Sequence, residues 1–349
     1  MSGPTGAVAA PWGDGAMVFE LGERRLHELN ASAAAVWELW AGGVGRDEIV
    51  CRLAAQVHVA PAQLGADVDA AIDGFVGAGL SRTSLGSRRI APSAVSPAAG
   101  LGPFRAGQAR FRVVCRESWA GAIDGLLAGL RADGEQAEMV LAVDDSLDRP
   151  AALSRLMARI NELAVVGSPD WVAFHAGVVT VEGGLVVLPG PSGRGKSTLT
   201  AALVAAGAAY LSDELALLDP GAGLVRPYPK PLALAGGHGA AKDLVDPHTI
   251  GALGAAAPVS AVVAPTFVAG GPTMLEPVSR RDALDLLLAN SFDFGPSGEA
   301  GFQALVELAA TVPTWRLQVC DLDEAVAAVA RSVRPALTAA AGTGGRGHR

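Results

Sequence analysis

Residues 186–200 read VVLPGPSGRGKSTLT. An apolar run ends at Pro189 and an alanine-rich run follows Ser197. Between them Gly190, Gly193 and Gly195 surround one lysine, and Gly190 to Ser197 fit G-x-x-x-x-G-K-[ST] in full. Glycines there let successive backbone N–H groups converge on one anion with no Cβ in the way. A lysine and a hydroxyl at the end of such a loop are the groups that reach β- and γ-phosphates and a Mg²⁺ ion. The spacing predicts a strand over 184–190 and a helix from Lys196, whose N-terminus also faces the anion. The expected binding set is Gly190, Pro191, Ser192, Gly193, Arg194, Gly195, Lys196, Ser197 and Thr198, with Lys196 on the phosphates and Ser197 on the metal. A glycine-rich turn before an ordinary helix is the plainer alternative, and the motif alone names no reaction.

The chain around this loop has 349 residues, enough for two domains with a real core. Half its residues are apolar and 18% are charged, a globular balance. A net charge of −8 argues against a general nucleic-acid or anionic-membrane binder. Cys51, Cys115 and Cys320 are scattered with no zinc spacing, which suits a reducing cytoplasm. The N-terminus lacks a signal-peptide layout. An uncharged stretch from Thr249 to Leu275 contains Pro258, Pro265 and Pro272, so it reads as loop, strand and loop rather than a membrane span. Of 27 basic residues only Lys196, Lys230 and Lys242 are lysines. Chance survival is one reading; retention where a guanidinium does not fit is the other.

Along the chain, 17–29 reads as two short strands about a turn at Leu21-Gly22-Glu23. Asn30 caps a helix ending in glycines, and two further amphipathic helices follow, the last after Pro61. A hairpin and three helices in so short a span predict a small winged-helix-like unit over 1–82. Residues 83–108 have the Ser, Pro and Gly content of a linker. An α/β unit is expected over 109–335, and 336–349 is expected to be a disordered tail. Within the α/β unit a hairpin turning at Glu182-Gly183-Gly184 leads into the glycine-rich loop.

After the helix comes a short strand and then Asp213 and Glu214. Asp213 lies only 23 residues beyond Gly190, so its strand is expected beside the strand that feeds the loop, with the carboxylate at the phosphate end. A carboxylate there can hold Mg²⁺ or accept the proton of an attacking hydroxyl. The alternative is an acid pair capping a helix or lying on the surface. His175 sits 15 residues before Gly190 on an apolar strand. Periodicity alone leaves it a satisfied core histidine or a functional one.

The order strand, His175, hairpin, phosphate loop, helix, strand, Asp213-Glu214 resembles the catalytic domain of HPr kinase/phosphorylase, a relative of phosphoenolpyruvate carboxykinase. The resemblance covers about 110–335 and is most specific over 171–219. It implies a P-loop kinase domain of that α/β fold using ATP and Mg²⁺. Asp213 would be the catalytic base or metal partner, beside Lys196 and Glu214, with His175 assisting. The family usually shows two aspartates where this chain has Asp213 and Glu214, and its second signature loop is not found here. The chain is thus more similar to HPr kinase-related proteins of peptide-modification clusters. The segment VRPYPKPLAL resembles those proteins, and Lys230 and Arg226 in it are candidates to neutralise phosphate charge or, equally, solvated loop residues.

Residues 15–82, through LHELNASAAAVWELWAGG, resemble PqqD-like peptide chaperones. That implies capture of a leader peptide as an added strand at a sheet edge. A bare winged helix could instead bind DNA, but 61–80 has three acids and no lysine or arginine. The expected function is an ATP-dependent kinase acting on a Ser or Thr hydroxyl of a peptide or small protein, cytoplasmic, without nucleic-acid or membrane partners. Relatives of this fold often associate, so a homo-oligomer is also an expectation. A nucleotide-gated peptide chaperone and a small-molecule kinase are the competing readings.

Overall fold

The computed structural model describes residues 6–58, 60–78, 80, 100–191, 193–235, 242–292 and 297–343. The fold is mixed α/β with several sheets. It divides into two units, one of residues 1–88 with 294–307, the other of residues 89–293 with 308–349.

In the first unit β1 (Ala7–Trp12), β2 (Gly15–Glu20) and β3 (Arg25–Leu29) form an antiparallel meander. Three helices follow: α1 (Ala31–Ala41), α2 (Arg46–Val57) and α3 (Pro61–Gly77). The Asn30 side chain accepts from Ala33 N and so caps α1 as its sequence position predicts. Trp37 packs edge-on to Phe75 at 5.2 Å within a core that includes Val18, Ile49 and Val68. The strand β1 was not expected. Residues 294–307 were assigned to the α/β portion by sequence order, yet Phe302 stacks on Phe19 at 6.0 Å.

The second unit opens with a three-stranded sheet. β4 (Leu101–Ala106) runs antiparallel to β5 (Ala109–Val114), which pairs parallel with β6 (Met139–Ala142). β4 falls inside the segment expected as linker, 83–108, of which 83–99 lie outside the described residues. Helices α4 (Glu117–Leu126) and α5 (Arg149–Val166) share an apolar core with this sheet.

The larger sheet follows. It contains β7 (Val172–Val181), β8 (Gly184–Pro189), β9 (Ala209–Ser212), β10 (Leu215–Asp219) and β11 (Leu224–Arg226). It also contains β14 (Val259–Phe267), β15 (Met274–Pro277) and β16 (Thr314–Val319). The order is β11-β10-β7-β8-β14-β16-β15, with β9 also paired to β7. A separate ribbon joins β12 (Leu232–Ala235) to β13 (Lys242–Val245). Helices α6 (Lys196–Ala205) and α9 (Leu322–Thr343) share the core of this sheet. α7 (Arg280–Asn290) is capped by Ser279, and α8 (Gly298–Thr311) is divided between the two units at Glu307. Helix α9 continues to Thr343, where a disordered tail from 336 was expected.

One expectation is corrected. The strand before Asp213 does not lie beside β8. The β7–β8 hairpin turns at Glu182 and Gly183 (φ 49° and 88°), the backbone of a two-residue hairpin loop. This places β7 along one edge of β8, and β14 takes the other in parallel. β9 is left to pair with the far side of β7. Both β9 and β8 run antiparallel to β7, so both still end on the same side of the sheet.

Candidate functional site

β9 and β10 are two parts of one line of backbone along β7. Ser212 pairs with Val178 and Leu215 with His175, and Asp213 and Glu214 form the break between them. The break is fastened by hydrogen bonds. Ala176 N donates to Glu214 O at 3.1 Å, and the His175 ring Nδ1 lies 2.9 Å from the same carbonyl. A carbonyl only accepts, so Nδ1 carries the proton and Nε2 is the acceptor nitrogen of the neutral ring. On its other side, Gly190 N donates to His175 O at 3.3 Å. The peptide group between His175 and Ala176 therefore holds the start of the glycine-rich loop and the acidic break at once.

The loop itself is built as its sequence requires. Gly193 and Gly195 have φ of 82° and 78°, in the left-handed region. Gly195 is the N-cap of α6, and no side chain caps that helix end. Lys196 is buried, and its Nζ donates to Pro191 O at 2.9 Å, back across its own loop. Pro191, Gly193, Arg194 and Thr198 are exposed, while Gly195 and Ser197 are half-buried. Ser192 lies outside the described residues. α6 meets β7 closely: a Cβ on Gly177 would come within 2.5 Å of Thr200 Oγ1. Ser197 lies one turn nearer the loop along the same face.

Asp213 and Glu214 are tied to Lys230. Its Nζ lies 3.1 Å from Asp213 Oδ1 and 2.9 Å from Glu214 Oε2, and donates to Pro231 O at 3.2 Å. Asp213 Oδ2 accepts from Ala233 N at 3.3 Å. The Tyr210 hydroxyl lies 2.9 Å from Lys230 O and 3.3 Å from Asp213 Oδ1. Behind them the Tyr228 hydroxyl donates to Asn161 Oδ1 at 2.9 Å. Asn161 also helps to lower the pKa of the Glu214 carboxylate.

The charges respond to one another. Burial pushes the Lys230 ammonium down, but the two carboxylates outweigh it and hold its pKa above the ordinary value. Burial pushes Glu214 up, and Lys230 with Asn161 outweighs that, leaving it below the usual carboxylate value. His175 is depressed by burial first and by the nearby Lys196 charge second. Burial raises Tyr210 and Tyr228 well above a free phenol.

The structure thus brings Lys196, His175, Asp213, Glu214 and Lys230 to one end of the sheet. Lys230 sits differently from the expectation. Its three N–H directions are taken by two carboxylates and a carbonyl, so it neutralises the acids rather than facing a phosphate. Arg226 is not part of the cluster. It pairs with Asp219 at 2.6 Å and lies over the Trp171 ring. Sequence reading missed Asn161, Tyr210 and Tyr228, which lie far apart along the chain and fit no motif. Among the described residues of the loop and the acid pair, the Asp213 and Glu214 carboxylates and the Ser197 hydroxyl are oxygen donors a cation could use. That is a Mg²⁺-type set, and Mg²⁺ bound so sparsely retains water or phosphate ligands. Among the described residues no group of three or more His, Cys, Asp or Glu forms a metal cluster.

The first unit has its own concavity. A groove of about 830 Å³ runs between β1 and α1, floored by small residues such as Ala9, Ala34 and Gly42. Asp14, Glu38 and Glu299 line it, and no basic side chain does. Among the described residues no helix is long and apolar enough to cross a membrane.

Comparison with known proteins adds the following. Residues 15–80 match the family Coenzyme PQQ synthesis protein D (PqqD). No curated protein matches the chain. Among solved structures, the chain is similar to the Hpr(Ser) kinase/phosphatase from Coxiella burnetii at 15% identity. That match spans 47% of this chain and 94% of the other, with a TM-score of 0.27.

Proposed function

We propose that this chain is an ATP-dependent phosphotransferase acting on a hydroxyl of a peptide, with residues 1–82 together with 294–307 as the peptide-binding part, the rest of 109–335 as the kinase part and a ribosomal peptide modification pathway as its setting. The observation that supports it most is the single peptide group of His175–Ala176, bonded on one side to Gly190 and on the other to Glu214. It sets a phosphate-type loop and a carboxylate pair at a fixed spacing, which is what phosphoryl transfer asks of a protein.

In this reading Lys196 and the loop N–H groups bind the polyphosphate, and Lys196 exchanges Pro191 O for phosphate oxygen. Ser197 and Asp213 hold the Mg²⁺ ion, which supplies charge neutralisation. Asp213 orients the acceptor hydroxyl and takes its proton as the oxygen bonds to the γ-phosphorus and the bond to the β-phosphate oxygen breaks. His175, neutral near pH 7 with Nε2 as acceptor, assists. Lys230 keeps Glu214 ionised. The groove along β1 admits an extended segment, and its three acids favour a basic one. Tethering both parts in one chain raises the local concentration of the acceptor.

The test is transfer of label from γ-labelled ATP, with Mg²⁺, to peptides in an extract of the source organism. The expected result is a labelled peptide, with Asp213→Asn slowing transfer by about 10²–10⁴-fold. ATP binding without transfer in the unaltered chain overturns the kinase reading in favour of a nucleotide-gated chaperone. A labelled metabolite overturns the peptide assignment.

A further inference from the structure

The loop has two flanks. On one, β7 carries His175, and the acid pair lies beyond it in the break between β9 and β10. On the other lies β14, parallel to β8, so that its last residue, Phe267, arrives at the loop end of the sheet. Phe267 meets the loop directly. A Cβ on Gly195 would fall 2.2 Å from Phe267 Cε2 and 2.3 Å from Cδ2, so an edge of the ring lies where a side chain at 195 would point. Ala261, Val262 and Val263 of the same strand are fully buried, but Phe267 is 42% exposed. The strand thus ends in a large ring, propped by the loop backbone and open to solvent.

We infer that Phe267 is the stacking platform for the base of a purine nucleoside triphosphate. This rests on the nucleotide reading above and extends it. A polyphosphate seated on Lys196 has its reacting end toward the carboxylates, on the β7 flank. Its nucleoside end leaves toward the opposite flank, and the exposed aromatic face there is Phe267. Crevices at the carboxyl ends of strands, where neighbouring connections diverge, are where α/β sheets take such ligands. A ring face recognises a base through its π surface, so ATP and GTP are expected to bind alike.

The experiment is titration calorimetry on the full chain with MgATP and with magnesium tripolyphosphate, which shares the phosphates and lacks the nucleoside. Wild-type protein should bind MgATP more tightly. Phe267→Ala should weaken MgATP about tenfold and leave tripolyphosphate unchanged, and Phe267→Trp should retain MgATP binding. Lys196→Met should lose both ligands. Equal affinities in the wild type, or an equal loss of both ligands in Phe267→Ala, overturns the platform and leaves nucleotide binding standing. Failure of the wild type to bind either ligand overturns both. Thermal melts of each variant separate lost contact from lost fold.

Discussion

Lys230 Nζ lies 3.1 Å from Asp213 Oδ1, with side-chain exposures of only 1% and 2%. A charge buried this deeply is tolerated because its partner is equally buried, and removal of either strands the other. Lys230→Met should therefore cost about 3–5 kcal/mol of stability by urea denaturation. Asp213→Asn in the Lys230→Met background should recover part of that loss. If the two substitutions simply add, the ammonium is not the counter-ion of this pair.

Glu214 is the more open partner, with 37% of its side chain exposed, so its contribution is smaller. Its folded pKa lies below the unfolded one. The stabilisation is thus present above the ordinary carboxylate range and is lost as pH falls through the folded value. Glu214→Gln should be less stable than wild type at neutral pH, and the gap should close in acid. A gap that does not narrow as the pH falls would show a role other than charge.

His175 carries the opposite liability. Its folded pKa is depressed below 6.5, so the unfolded chain takes up the proton first as pH falls. Its contribution to stability is complete above pH 6.5 and declines below it. Lys196→Met should raise the His175 pKa by removing the nearby cation, with burial still holding it low. Proton NMR titration of the ring reads this directly, and an unchanged pKa would mean that Lys196 does not sense the ring.

Gly195 is constrained twice, by a φ of 78° and by the Phe267 ring. Gly195→Ala should lose stability by roughly 1–2 kcal/mol from the backbone alone and weaken nucleotide binding further. Adding Phe267→Ala should relieve the collision and not the backbone strain, so recovery of stability should be partial. Full recovery would place the whole cost in the ring.

The loop, its helix and both hairpins were legible because each is written in a short run of residues. Glu182-Gly183 announces a turn, Asn30 announces a cap, and Lys196 announces a cradle. Sheet order was not legible, because pairing is a choice between distant segments. β9 falls next to β7 because the hairpin had already taken that edge of β8. Lys230 was noticed as a rare lysine, but its partners at 213 and 214 could not be read from spacing. Asn161, on a helix ahead of the whole motif, gave no signal. The grouping of 294–307 with the N-terminal strands runs against chain order, and nothing local marks it.

Because one planar amide is bonded on both flanks, it behaves as a stiff crossbar. It ties the loop start to the acid pair through two hydrogen bonds of 3.3 and 3.1 Å. Any closure over a substrate must then hinge outside this crossbar. Replacing the Ala176 amide by an ester, which deletes the N–H and keeps the side chain, would leave the Glu214 carbonyl held by the His175 ring alone.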